Sequence, residues 1–311
     1  MREIVVISGK GGTGKTSLTA AFAHLAGKAM LCDLDVDAPD LHLLLGPVRR
    51  EEHDFISGHE AVIDPGKCTN CGLCAELCRF GAVHPNQEGG EGFHRIESLR
   101  CEGCKVCVQF CPAAAIDFEE KLCGRWYASD MRFGPMVHAQ LFPGEENSGR
   151  LVALLKKEAR QRAEALGLSL VLCDGAPGIG CPVIASLSGA SMAVIVTEPT
   201  PSGRHDLMRV AELCNHFRIP AGVIINKFDL NLQNSLDIER YCDEQGHALL
   251  GLLPHDEVVV RAMVQAKCVT ELPGTAFSKA LCAAWEQIAD FDPKAAARPA
   301  LFHPTPNAQG D

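Results

Sequence analysis

The sequence predicts an α/β fold: a doubly wound, mostly parallel sheet with helices on both faces, and a small α+β module set into it. Three observations carry this. Short, nearly continuous apolar runs alternate with amphipathic segments along most of the 311 residues. A glycine-rich loop, Gly9-Lys10-Gly11-Gly12-Thr13-Gly14-Lys15-Thr16, stands between the first apolar run and the first amphipathic segment. Residues 61–119 break the alternation with two tetrads of cysteine.

The expected strands are 3–8, 29–33, 169–174, 191–197, 220–226 and 248–252. Each is a short run of β-branched or other apolar residues with no polar face, as when helices cover both sides of a parallel sheet. The expected helices are 15–27, 150–166, 181–188, 203–216, 233–244, 256–265 and 275–290, each with apolar residues at helical spacing. This gives residues 1–60 as the first part of one α/β domain and 120–291 as its second part. Segment 120–149, with Trp126, Tyr127 and Phe133, is strand-like but irregular. The tail, 292–311, has four prolines and little periodicity, and is expected to be disordered.

The formal charge is −10, and lysine and arginine are scattered, so the field repels nucleic acid and anionic lipid. The pair Lys156-Lys157 is expected on a solvated helix face. The first strand starts at once, with no signal peptide before it, and no apolar run reaches the roughly 18 residues of a membrane span. The expectation is therefore a cytoplasmic protein whose 16 cysteines are reduced. Of the eight cysteines outside the tetrads (Cys32, Cys123, Cys173, Cys181, Cys214, Cys242, Cys268 and Cys282), most are expected to be small core hydrophobes.

Gly9, Gly11, Gly12 and Gly14 permit a tight loop whose backbone N–H groups turn inward on phosphate oxygens. The helix that follows adds its positive end. Lys15 reaches β- and γ-phosphates, Thr16 ligates Mg²⁺, and Thr13 and Ser17 complete the nucleotide-binding stretch. With Lys10 inside it, this loop resembles the deviant Walker A motif of the MinD/Mrp/ParA family of ATPases, which includes the nitrogenase iron protein. The resemblance covers roughly residues 1–290. It implies that Lys10 reaches across a nucleotide-sandwiched dimer to the partner's phosphates; in the monomer the same lysine would face solvent.

Cys32-Asp33-Leu34-Asp35-Val36-Asp37 looks like that family's switch I, which implies that Asp35 positions the attacking water and Asp33 assists the metal shell, with Asp37 solvated. Val171-Leu172-Cys173-Asp174-Gly175 resembles its Walker B and switch II segment, with Asp174 near the Mg²⁺ water. Lys10, Lys15, Asp35 and Asp174 are thus the catalytic candidates. Asn226 and Lys227, in Asn226-Lys227-Phe228-Asp229, and Pro254 are the base-contacting candidates by the same resemblance. The fold resemblance favours ATP, while Asn-Lys-x-Asp is also the guanine-reading motif of GTPases.

The tetrads are Cys68, Cys71, Cys74, Cys78 and Cys101, Cys104, Cys107, Cys111, the second followed by Pro112. The repeated C-x-x-C-x-x-C-x-x-x-C spacing is that of bacterial two-cluster ferredoxins, in which the fourth ligand is exchanged between copies. Cys68, Cys71, Cys74 and Cys111 are expected to hold one [4Fe–4S] cluster, and Cys101, Cys104, Cys107 and Cys78 the other. Structural zinc also takes paired C-x-x-C, and four sulfurs per site would suit it, but the duplicated x₂-x₂-x₃ spacing closed by proline ranks it well behind the clusters. Arg79 stands where a proline often follows the first copy.

Cys181, seven residues after Asp174, sits where the nitrogenase iron protein has a ligand to a cluster shared by two subunits. The second such ligand is missing here, so an inter-subunit cluster ranks behind a redox or transient-ligand role, and both rank behind plain packing. The combined expectation is an ATP-binding and hydrolysing dimeric switch, homodimeric or paired with a paralogous ATPase, which gates electron transfer through its clusters to a redox or cluster-accepting protein. An iron–sulfur or metal-cluster carrier of the Mrp type is the alternative. Membrane positioning as in MinD ranks last, because the tail lacks a basic amphipathic helix. No nucleic acid and no stable membrane anchor are expected among the partners.

Overall fold

The computed structural model describes residues 1–85 and 93–291. In chain order the elements are β1 (Arg2–Ser8), α1 (Lys15–Ala26), β2 (Met30–Asp33), α2 (Leu41–Leu45), β3 (Val48–Ile63), α3 (Leu73–Leu77), β4 (Val83–Pro85), β5 (His94–Ile96) and α4 (Val106–Gln109). Then follow β6 (Ile116–Met131), β7 (Gly134–Leu141), α5 (Ser148–Ala165), β8 (Leu170–Pro177), α6 (Cys181–Leu187), β9 (Met192–Thr197) and α7 (Pro201–His216). Last come β10 (Ala221–Asn226), α8 (Leu232–Gln245), β11 (Ala248–Leu253), α9 (Val258–Val264) and α10 (Ala276–Asp290).

Nine strands form one sheet in the order β11-β10-β9-β1-β8-β2-β7-β6-β3. The pairs from β11 to β7 are parallel; β7–β6 and β6–β3 are antiparallel. The central strands alternate sides between two cores. Val5 and Ile7 of β1 enter a core with Leu151, Val183, Leu207 and Ile238, from α5 to α8. Ile4 and Val6 enter the opposite one, with Leu18, Leu41, Val258 and Phe277, from α1, α2, α9 and α10. That is the doubly wound arrangement, and it explains why the central strands have no polar face.

Segment 120–149 resolves into β6, the β6–β7 turn and β7, and β3 was not anticipated at all. Its first half, Val48-Arg49-Arg50-Glu51-Glu52-His53-Asp54, is almost wholly polar because it lies at the sheet edge, where charge blocks further pairing. Beyond β7, β3 and β6 continue as a two-stranded ribbon to Ile63 and Ile116. The bounds 61 and 119 read from composition fall inside these two strands. At the ribbon's far end α3, α4 and the β4–β5 hairpin gather around a small core of Ala61, Ile63, Val83 and Ile116, with six of the tetrad cysteines packed on it.

Outside the tetrads, Cys32, Cys123, Cys173, Cys214, Cys242 and Cys268 are buried, Cys282 is half-buried and Cys181 exposed. Lys156 corrects the sequence reading. It is 3 % exposed, its ammonium 2.8 Å from Glu3 Oε1 and bonded to the carbonyls of Ser186 and Ser188, while Lys157 does face solvent. A buried lysine needs such partners, and Glu3 lies on a neighbouring element far away in sequence. No helix among the described residues is long and apolar enough to cross a membrane. The tail 292–311 lies outside the described residues.

Candidate functional site

β1 ends at Ser8, whose hydroxyl donates to the Lys10 carbonyl at 2.8 Å and starts the glycine loop. Gly14 closes the loop at φ +91°, ahead of α1; a Cβ there would lie 2.6 Å from Asn226 Nδ2. Glycine is therefore required both by conformation and by the approach of β10. Asn226 donates through Nδ2 to the Thr13 carbonyl at 2.8 Å, which ties the loop to the end of β10. The Asn226 side-chain oxygen Oδ1 and the Thr13 hydroxyl are buried with no partner among the described residues.

A cavity of about 780 Å³ opens over this loop. Gly11 to Ser17, Asp35, Asn226, Lys227 and Pro254 all line it. The volume falls in the range of small-molecule sites. Sequence reasoning missed the apolar wall beside Pro254: Leu43 and Leu44 of α2, Val259 and Met263 of α9, and Phe277 of α10. His255 and Asp256 also line it. Their signal is weak, since α2, α9 and α10 reach the cavity only through the topology.

Lys15, 6 % exposed, has its ammonium 3.2 Å from Asp174 Oδ1 and 3.5 Å from Asp35 Oδ2. Burial opposes its charge, but Asp174, Asp35 and Asp33 outweigh that and hold it above the ordinary lysine value. Asp174, in the second half of β8, also accepts from the Thr19 hydroxyl at 3.0 Å, and its other oxygen is buried with no partner among the described residues. Burial pushes the Asp35 carboxyl up, with Lys15 acting against it. Burial, and then Asp174, push Asp33 well above the usual carboxylate range.

The two switch I carboxylates part company. Asp35 lines the cavity, whereas Asp33 spends one oxygen on the backbone N–H of Asp35 at 3.1 Å and the other on that of Leu41 at 3.3 Å. Asp33 thereby shapes the loop between β2 and α2. Asp37 is exposed. Gly9 is absent from the cavity wall; its missing Cβ admits Asp206 of α7.

Lys10 is not free in the monomer. Its ammonium lies 3.7 Å from Glu198 Oε2 and within hydrogen-bond reach of the hydroxyls of Thr200 and Ser202. Glu198 also takes Lys227 Nζ at 2.6 Å, so one carboxylate joins Lys10 of the glycine loop to Lys227 on the cavity wall. Asp229 is exposed, does not line the cavity, and accepts the backbone N–H of His255 at 2.7 Å.

The tetrad cysteines line two separate cavities at the end of the ribbon. Cys68, Cys71, Cys74 and Cys111 line one, together with Pro112. Cys78, Cys101, Cys104 and Cys107 line the other. Helices α3 and α4 pack together between them. Backbone N–H groups of Asn70, Ala82 and Ala115 point at the sulfurs of Cys68, Cys78 and Cys111 at 3.3–3.4 Å. Among the described residues no three His, Cys, Asp or Glu side chains converge closely enough to hold a single metal ion.

Contacts lead from switch II to this region. Cys181, first residue of α6, packs against Gly149 near the start of α5. Arg150 donates to Ser57 Oγ at 2.9 Å, and the Ser57 carbonyl accepts from the Cys123 thiol. Lys121 pairs with Glu145 at 3.0 Å, both mostly buried, and donates to the Ser98 carbonyl three residues before Cys101.

Residues 4–269 match the CobQ/CobB/MinD/ParA nucleotide binding domain. The uncharacterized protein MJ0578 of Methanocaldococcus jannaschii is 32% identical over 232 residues, 74% of this chain and 79% of that protein. The solved structure of the Pyrococcus furiosus cell division ATPase MinD superposes with a TM-score of 0.55 at 18% identity, covering 93% of this chain and 98% of that one. The septum site-determining protein MinD of Pyrococcus horikoshii, complexed with Mg-ADP, gives 0.56 at 17% identity, covering 93% and 96%. With its glycine loop, paired carboxylates and cavity set on that fold, this chain belongs to the CobQ/CobB/MinD/ParA nucleotide-binding domain family, within the P-loop ATPase class.

Proposed function

We propose that the protein is an ATP-hydrolysing dimeric switch that gates electron transfer to a partner protein through two [4Fe–4S] clusters held by residues 61–119. The observation that carries this is the sorting of the eight cysteines into two cavities, each taking three ligands from one tetrad and the fourth from the other. Exchange of the fourth ligand is the two-cluster ferredoxin arrangement. The donor chemistry fits as well. Thiolates that accept backbone N–H bonds keep their charge at lower cost, and a cluster of several atoms spreads its ligands wider than a single ion does. When bound, such clusters supply one-electron chemistry.

In the nucleotide cycle, the backbone of 11–16 and the start of α1 receive the phosphates. Lys15 exchanges its carboxylate partners for β- and γ-phosphate oxygens. Thr16 and Asp174 would hold Mg²⁺ and its water, and Asp35 would orient the attacking water. Lys10 leaves Glu198, Thr200 and Ser202 to reach the phosphates of the opposite subunit. Moving such an equilibrium from 1:99 to 99:1 takes about 5.5 kcal/mol of differential binding, which several charge-assisted contacts made in one state only can supply. Asp229 favours ATP over GTP: the carboxylate that would read guanine is bonded to the His255 backbone outside the cavity.

The switch II contacts through Gly149, Arg150, Ser57 and Lys121 supply a route from nucleotide to the cluster region. The test is anaerobic iron and sulfide analysis with EPR, then stopped-flow reduction of an acceptor with and without ATP and Mg²⁺. Equal transfer in both conditions sinks the gate. A carrier role is the second reading, favoured by the exposure of Cys71 and Cys104. Loss of iron to an apo-acceptor would support it, and full retention under chelator would count against it.

A further inference from the structure

We propose that His94 donates a hydrogen bond to a sulfur of the cluster in the Cys68–Cys71–Cys74–Cys111 cavity and makes that cluster the more easily reduced of the two. This rests on the iron–sulfur reading above.

Residues two apart on a strand share a face. On β5, His94 therefore faces the same way as Ile96, yet the two reach different cavities: His94 lines the first and Ile96 the second. One short strand thus presents an imidazole to one cluster and a hydrocarbon to the other. His94 Nδ1 is buried without a partner among the described residues, and the β4–β5 hairpin sets His94 opposite Pro85. Its ring packs over Gly72, between Cys71 and Cys74. No described residue accepts from Nδ1, so the acceptor assigned to it is a sulfur of the bound cluster, which would select the Nδ1–H tautomer.

The backbone donors are unequal in the same direction. Among the described residues the first cavity receives the backbone N–H groups of Asn70 and Ala115 on its sulfurs, and the second that of Ala82. The second is walled by Ala61, Phe80, Ala82, Val83 and Ile96. Its one cation, Lys105, is exposed and lies over the Phe118 ring, 5.0 Å from the centroid, with Glu102 close in sequence. Hydrogen bonds to cluster sulfurs stabilise the reduced, more negative state and raise the potential. An electron delivered to the second cluster therefore moves to the first, oxidising one and reducing the other.

The test is a potentiometric titration, with dithionite as reductant and EPR as readout, on the full chain loaded anaerobically with iron and sulfide. The wild type is expected to show two separate potentials. His94→Ile should lower the higher one towards the lower, and His94→Gln, which keeps an N–H donor, should preserve the separation. Full iron in His94→Ile with both potentials unchanged would overturn the proposal and leave the iron–sulfur reading standing. If His94→Ile loses iron, the glutamine variant decides: two separate potentials support the donor, merged potentials overturn it. A wild type that takes up no iron overturns both readings.

Discussion

Replacing Asp174 by asparagine separates the electrostatics of the empty site from those of the loaded one. Asp33, Asp35 and Asp174 bring three carboxylates to one ammonium, Lys15, so the site carries 1 − 3 = −2 when all are ionised. At 3.2 Å the Lys15–Asp174 attraction alone is about 5 kcal/mol at an effective dielectric of about 20. Asparagine keeps an oxygen for both Lys15 and Thr19, so two charge-assisted bonds become ordinary ones, at a cost of about 1–2 kcal/mol each. Against that, Asp33 loses the like charge that helps push its carboxyl up, and Lys15 keeps Asp35. The Mg²⁺-free midpoint of thermal unfolding should therefore fall by only a few degrees. Ligand at 100 times its Kd stabilises by about 2.7 kcal/mol, which is roughly 5 °C in a chain of this size. The assay is thermal unfolding with ATP, in Mg²⁺ and in EDTA. Wild type should gain markedly from Mg²⁺, and Asp174→Asn should gain no more than it does in EDTA. An undiminished Mg²⁺ increment in the variant would refute the metal role, and a collapse of the nucleotide-free midpoint would make Asp174 chiefly structural.

Other outcomes follow from the same geometry. Burial, with His42 and Arg49 adding to it, lowers His138 to about 4, so between pH 6.5 and about 4 the unfolded chain binds the proton that the folded chain refuses. Stability should fall by about 3 kcal/mol as pH drops through that window, and His138→Gln should flatten the slope measured by urea unfolding; an unchanged slope would exclude His138 as its source. Cys111→Ser should lose about half of the iron; adding Cys68→Ser should cost no more, and adding Cys78→Ser should remove most of the rest. If the pairings came out the other way round, the exchanged tetrads would be wrong. Asp229→Asn keeps an acceptor for His255 and should leave ATP affinity within a few-fold in equilibrium binding, whereas a guanine-reading carboxylate would reveal itself by lost GTP affinity.

What was legible in the sequence was what is local. β1, β8, β9 and β10 are continuous apolar runs because both of their faces are covered, and each was read within a few residues. The glycine loop is contiguous, so its chemistry shows in one stretch. β3 was hidden because an edge strand carries charge where a central strand carries valine, and the pairing that defines it joins residues 48 and 130. Glu198 and the bond of Asp229 to His255 escaped for a related reason: each serves a loop that the parallel order β1-β9-β10-β11 brings alongside. Lys156 looked solvated because its partner Glu3 lies on the first strand, 153 positions away. His94 carries no motif, and only the hairpin shows which cavity it meets.

The ribbon of β3 and β6 has a mechanical consequence. Its pairing slips at Phe55–Ile56 and again at Ile56–His59, with Gly58 at φ +78°, close to where β7 stops and the arm leaves the sheet. A bulged antiparallel pair is stiff along its length and gives way most readily at the bulge. From there to Ile63 the arm is about 20 Å long, so each 10° of flexure carries its tip through about 3–4 Å. The cysteine-bearing head is thus mounted on a crank, able to turn a different side towards a docked neighbour while the ladders above and below the bend stay intact.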